Sequence, residues 1–178
     1  PVTGGAPDPF SYAPEEAEGL EGGFKGLWFD GRLALNLAVF DTDFTDLQVT
    51  VFNPITGQFI TRNAAAAHSR GVEIDGRLAP TDNFTLGFAA SFTDAEYDEY
   101  GGSQCNSLDA KKAVIAAGNP RAPCFVDGAG EQMPFSPEWS LNLQPEYRTT
   151  IGGFDVTASA NIIFSDGYRM FGIDGDPG

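Results

Sequence analysis

The chain has 178 residues, with 10 Lys+Arg against 25 Asp+Glu and a formal net charge of −15. So acidic a chain cannot release counterions from a phosphate backbone, which makes nucleic acid a poor partner. Aromatics form 12% of the residues, 15 of them Phe, beside 22 Gly and only 20% charged residues; disordered acidic tails lack that aromatic content, and the mix suits an all-β protein.

Period-2 alternation predicts about six strands. The first runs from Leu20 to Trp28, with Leu20, Phe24 and Trp28 opposing Glu21, Gly23 and Lys25. Asp30-Gly31 follows, a strong two-residue hairpin signal. The second strand carries Leu33, Leu35, Leu37 and Val39 on one side, breaks register around Phe40 and Phe44 as a bulge would, and resumes with Leu47, Val49 and Val51. It runs into a longer connection, Asn53-Pro54-Ile55-Thr56-Gly57-Gln58. In the third strand Val72, Ile74 and Leu78 oppose Glu73, Asp75 and Arg77, and the short turn Pro80-Thr81-Asp82-Asn83 leads to the fourth, Phe84 to Thr93. A long loop over residues 98–134 separates it from Trp139 to Arg148, where Pro145 is the weak point because proline cannot donate to a central ladder. Ile151-Gly152-Gly153 then turns the chain into the clearest strand, Phe154 to Phe164.

Short and long connections alternate, which in a meander puts every tight turn at one end. Outer-membrane barrels have that asymmetry. The apolar bands are deep enough for a tilted membrane-crossing strand of roughly 9–11 residues. No apolar window is long enough for a transmembrane helix, a test that leaves a barrel open. Trp28, Phe84, Tyr147 and Phe154 lie near the tight turns, with Trp139 near the other edge, as a membrane girdle would. The opposite face, with Glu21, Lys25, Glu73, Asp75, Arg77, Asn142, Gln144, Glu146 and Asn161, is then expected to line a lumen. The expected fold is thus all-β, an antiparallel up-and-down transmembrane β-barrel segment. About six strands are too few to close a bacterial barrel, so the chain is expected to be an arc of something larger. The final Asp174-Gly175-Asp176-Pro177-Gly178, which reads as a loop being entered, gives the same expectation of a fragment. The alternative is a secreted or periplasmic β-sandwich binding module, whose strands also alternate.

Phe10-Ser11-Tyr12-Ala13-Pro14-Glu15, then Leu20-Glu21-Gly22-Gly23-Phe24-Lys25, then Asp46-Leu47-Gln48, Asn63-Ala64-Ala65, Ser69-Arg70-Gly71-Val72-Glu73-Ile74 and Phe135-Ser136-Pro137-Glu138-Trp139 occur in order. This run resembles the β-barrel region of TonB-dependent outer-membrane receptors. The resemblance implies a barrel of about 22 strands around a plug, located in the outer membrane and importing a scarce nutrient such as a siderophore-iron complex, cobalamin or an oligosaccharide. It further implies three partners: the TonB complex reached through a plug, outer-membrane lipid and lipopolysaccharide, and a small nutrient ligand. Residues 1–178 match only a barrel portion, without plug, TonB box or terminal aromatic strand.

In that family the long loop faces an oxidising exterior, so Cys105 and Cys124, the only cysteines, are expected to pair, with two free thiols as the alternative. Within the loop a short helix is expected from Leu108 to Ala117, ended by Gly118-Asn119-Pro120. His68 is the single histidine, which rules out a His-rich metal site and reads as a strand or rim residue. The acidic groups Asp41, Asp43, Asp46, Asp94, Glu96, Asp98 and Glu99 could offer Ca²⁺ hard oxygen ligands, but they lack the glycine-spaced loop of an EF-hand and read first as a solvated rim. Ser69, Ser91 and Ser103 have no evident base, and Glu73, Asp75 and Arg77 on one face suggest internal ion pairing. Neither an enzyme, a resident metal nor a cofactor is expected.

Overall fold

Eight strands and one helix follow one another in the computed structural model, which describes residues 12–53, 55–105, 107–120 and 122–169. The strands are β1 (Glu16–Trp28), β2 (Leu33–Asn53), β3 (Gln58–Leu78), β4 (Phe84–Gln104), β5 (Phe125–Asp127), β6 (Trp139–Ile151), β7 (Phe154–Ser159) and β8 (Ile162–Ser165), with α1 (Ser107–Ala117) between β4 and β5. Each pairs antiparallel, in the order β1-β2-β3-β4-β6-β7, with β5 against β4 and β8 against β6. The second packed sheet that a sandwich needs is absent among the described residues. Phe10, Ser11, Pro54 and the terminal residues 174–178 lie outside them.

The three turns expected to be tight lie at one end, but the connection expected to be longer at the other, 53–58, is short as well: Asn53 pairs directly with Gln58, and Gly57 takes φ 71°. Asp30 and Gly31 have φ of 55° and 83°, and Arg32 N–H donates to the Phe29 carbonyl at 3.1 Å, which makes the mirror-image turn that suits strand twist. Gly152 and Gly153, at φ 60° and 85°, make the corresponding turn between β6 and β7. Lateral bonds join these turns. Arg32 reaches Asp82 at 2.6 Å, Ala79 N–H donates to the Arg32 carbonyl at 2.7 Å, and Asn83 Nδ2 donates to the Arg148 carbonyl at 2.7 Å.

At the other end β2, β3 and β4, each 21 residues long, continue far past their apolar stretches. The third strand begins at Gln58, as expected of a strand that runs past its apolar band to the 53–58 connection. One expectation changes here: the fourth strand runs to Gln104, so residues 98–104 of the loop placed at 98–134 are strand. Residues 128–138 then return along β4, with bonds from Gly130 N–H to the Tyr97 carbonyl and from Thr93 N–H to the Glu138 carbonyl. The bulge in β2 is also displaced. Phe40 and Phe44 keep register with Gly71 and Ala67, and the slip comes after Phe44, beside Asp46 at φ 55°.

The clearest sequence strand is interrupted. β7 and β8 pair with β6 in one register, Glu146↔Ser159 on one side of the gap and Leu143↔Ile162 on the other. Opposite the gap stands Pro145. Ala160 N–H donates to the Pro145 carbonyl at 3.1 Å, but proline has no N–H to return the bond. The ladder therefore breaks for a single missing donor.

No large side chain is fully buried among the described residues, and those buried beneath a tenth exposure include the small Val49, Val51, Ala65, Ala67 and Ala95. Leu20, Phe24, Val39, Phe154 and Phe164 are about half or more exposed. The chain forms a wall, not a globule with a core.

Candidate functional site

In an antiparallel ladder directly paired residues share a face. Following the pairs across the wall sorts the side chains into two sets. One row reads Phe24, Leu37, Ile74, Ala90, Leu141 and Phe164; the next reads Val39, Val72, Phe92 and Trp139. The apolar face is continuous across the sheet because each strand's alternation is locked in phase with its neighbour's. Trp28, Phe84, Trp139, Tyr147 and Phe154 all lie on it, the first two paired with Leu33 and Tyr147. Phe92 and Trp139 stack with ring centroids 4.7 Å apart, and Phe24 and Trp28 at 5.7 Å.

Glu21, Lys25, Glu73, Asp75, Arg77, Asn142, Gln144, Glu146 and Asn161 occupy the other face, in rows such as Lys25, Asn36, Asp75, Ala89 and Asn142. Arg77, Gln144, Glu146 and Asn161 come together around a concavity of about 570 Å³ beside the gap opposite Pro145. The internal ion pairing expected of Glu73, Asp75 and Arg77 does not form. Asp75 accepts from Asn36 Nδ2 at 2.8 Å and Arg77 donates to Thr85 Oγ1 at 3.3 Å. Here the partners come from neighbouring strands, Asn36 on β2 and Thr85 on β4. Ser91 likewise pairs across the ladder with Ser140 at 2.7 Å, whereas Arg148 pairs along its own strand with Glu146 at 2.8 Å.

At two glycines the neighbouring backbone and an aromatic ring both come close. A Cβ at Gly71 would meet the Phe92 carbonyl oxygen first and Phe40 Cζ at 2.8 Å on the polar face, and one at Gly76 the Ala34 carbonyl oxygen first and Phe88 Cζ at 2.7 Å on the apolar face. No real side chain fits there.

Past the apolar rows the same face turns charged. Asp41, Arg70 and Asp94 form one row; Asp43, His68 and Glu96 form the next. β4 slips against β3 between Ala66 and Ala67, leaving Asp98 as the extra residue. That bulge aims the Asp98 carboxylate at His68 Nδ1, 2.8 Å away. The sequence does not announce this meeting of His68 with the acidic rim, because it depends on one unpaired residue in a strand with no alternation. Nearby, Tyr97 is half buried against Tyr100, and burial, reinforced by Tyr100, pushes its phenol above the usual range.

The end away from the tight turns carries the disulfide Cys105–Cys124, whose Cα atoms are 5.7 Å apart. It closes the segment holding α1, which ends at Gly118 with φ 58°. Leu108 and Ile115 of α1, with Ile55, Phe59 and Phe125, are exposed at this end.

Three separated stretches meet at the β2 bulge. Gln48 N–H donates to Glu15 Oε1 at 2.8 Å, Ala13 N–H donates to Asn63 Oδ1 at 2.7 Å, and Asn63 Nδ2 donates to the Asp46 carbonyl. These residues belong to three of the stretches on which the family resemblance rests, so the resemblance has a structural unit behind it. A family model described as "TonB dependent receptor-like, beta-barrel" matches residues 2–176. With its two-faced antiparallel wall and this match along nearly its whole length, the chain belongs to the β-barrel family of TonB-dependent receptors, outer-membrane receptors and transporters rather than enzymes.

Proposed function

We propose that this chain is part of the barrel wall of a receptor that imports a scarce nutrient across the outer membrane, with energy relayed by the TonB complex. The observation that carries the reading is the apolar face running in phase from β1 to β8. In this reading the apolar face meets lipid, Trp28, Phe84, Tyr147 and Phe154 sit at the periplasmic interface, and Trp139 sits at the outer one. Glu21, Lys25, Glu73, Asp75, Arg77, Asn142, Gln144, Glu146 and Asn161 face a lumen that holds a plug. The ends carrying residues 53–58 and 98–134 are extracellular and meet the ligand, a siderophore-iron complex, cobalamin or an oligosaccharide, beside lipopolysaccharide.

Single-cysteine labelling of the full-length receptor in membranes tests this. Phe88→Cys and Leu143→Cys should react with a lipid-dissolved maleimide and resist a water-soluble one, whereas Asn142→Cys should show the reverse. Equal reactivity of the two sets, or recovery of the full-length protein in the soluble periplasm, would overturn the reading.

A further inference from the structure

We propose that His68, Asp94 and Glu96 form a binding site for a divalent metal ion of the Zn²⁺ or Mn²⁺ class, with Asp98 orienting the histidine. His68 is only 9% exposed, which is unusual for the single histidine of a wall with hardly any core. Its Nδ1 is engaged by Asp98 at 2.8 Å. Its Nε2 has no hydrogen-bond partner among the described residues and points toward Asp94, whose Oδ2 is 3.7 Å away. One ring nitrogen held by a carboxylate and the other left for the metal is the arrangement found around ligating histidines, because the carboxylate fixes the tautomer and raises the basicity of the free nitrogen.

The donor atoms of His68, Asp94 and Glu96 all lie within 4.8 Å of one another. Ligands of a four-coordinate Zn²⁺ at about 2.0–2.1 Å stand roughly 3.3 Å apart, so a modest rotation of the two carboxylates closes the set. Asp94 is free to make it, since its side chain is 41% exposed. Arg70 stands opposite Asp94 in the ladder, but among the described residues no Lys or Arg comes within salt-bridge distance of Asp94, Glu96 or Asp98. One imidazole nitrogen with two carboxylates favours Zn²⁺ or Mn²⁺ over Ca²⁺, which takes six to eight oxygens. The inference rests on the β3–β4 ladder and its bulge, and stands independently of the transport reading.

The test is equilibrium dialysis of the EDTA-treated, full-length receptor in detergent against Zn²⁺, with Co²⁺ absorption reporting the ligand field. Wild type should bind one more equivalent than His68→Gln, and Glu96→Gln should weaken that equivalent at least tenfold. Asp98→Asn should weaken it about 10- to 100-fold while leaving a recognisable Co²⁺ spectrum, as expected of a residue that positions a ligand. Retention of the compact, heat-modifiable form by each variant separates loss of the site from loss of fold. Identical stoichiometry and affinity in wild type and His68→Gln would overturn the proposal, as would the absence of Zn²⁺ binding at millimolar concentration.

Discussion

The Glu15 carboxylate accepts the backbone N–H of Gln48 at 2.8 Å, where β2 slips register against β3. A bulge leaves amides that the ladder cannot use, and a side chain from before β1 takes one of them. Glu15→Ala should therefore speed hydrogen exchange at the Gln48 amide while leaving Leu35 and Leu37 unchanged. The loss of stability should be near the low end for a hydrogen bond, about 0.5 kcal/mol, because the site is exposed. Unchanged exchange at Gln48 would show that Glu15 plays no part in satisfying the bulge.

The Phe92 carbonyl oxygen and then the Phe40 ring crowd the space a Cβ at Gly71 would take, so no side chain fits there. Gly71→Val must displace backbone as well as ring and should cost at least the usual overpacking range of about 1–3 kcal/mol. Gly87 is the control, since a Cβ there would meet Gln144 Cβ at 3.4 Å, an ordinary contact. In full-length protein the temperature at which the heat-modifiable form is lost should fall for Gly71→Val and hold for Gly87→Ala.

Charge tolerance should differ sharply between the faces. Phe88→Arg puts a guanidinium in the middle of the apolar rows, and at the midplane of a bilayer such a change costs about 2–4 kcal/mol. Asn142→Arg, on the opposite face, replaces one polar group with another. Outer-membrane abundance should drop for the first and stay near wild type for the second; equal abundance would argue against lipid contact.

Reducing Cys105–Cys124 should loosen one end only. Closing a loop of about 20 residues contributes on the order of 3 kcal/mol in the chain-entropy model, and it acts on the segment bearing α1. Cys105→Ser should open the segment between the two cysteines to protease while the heat-modifiability of the barrel persists. Cys105→Ser/Cys124→Ser should match the single variant, because either change removes the same bond.

What the sequence discloses depends on whether a strand has one apolar face. Leu33, Leu35, Leu37 and Val39 alternate because one face is apolar and the other polar, and their strand is legible at once. Gln58 to Arg70 shows no such pattern, with Ala64 to Ala67 in a row, although the same backbone ladder holds it in β3. Residues 98–104 look like loop for the same reason, although they complete β4. Pro145 gave warning of a fault, but the fault surfaces in its neighbour: β6 stays continuous and the strand beside it is cut. The contact between His68 and Asp98 spans 30 residues and depends on a one-residue slip, which no local pattern encodes.

The bonds from Arg32 to Asp82 and from Asn83 to Arg148 tie each tight turn to the next across the sheet. An insertion into the first or second turn would disturb its neighbour as well, whereas past the apolar rows β2–β3 is joined to β4 by fewer side-chain bonds among the described residues, such as Arg62 to the Gly101 carbonyl, and can lengthen with less disturbance. Variation is thereby partitioned along the strand axis. A wall built this way can vary the end that carries the disulfide one hairpin at a time over evolutionary change, while the edge with the linked turns stays the same.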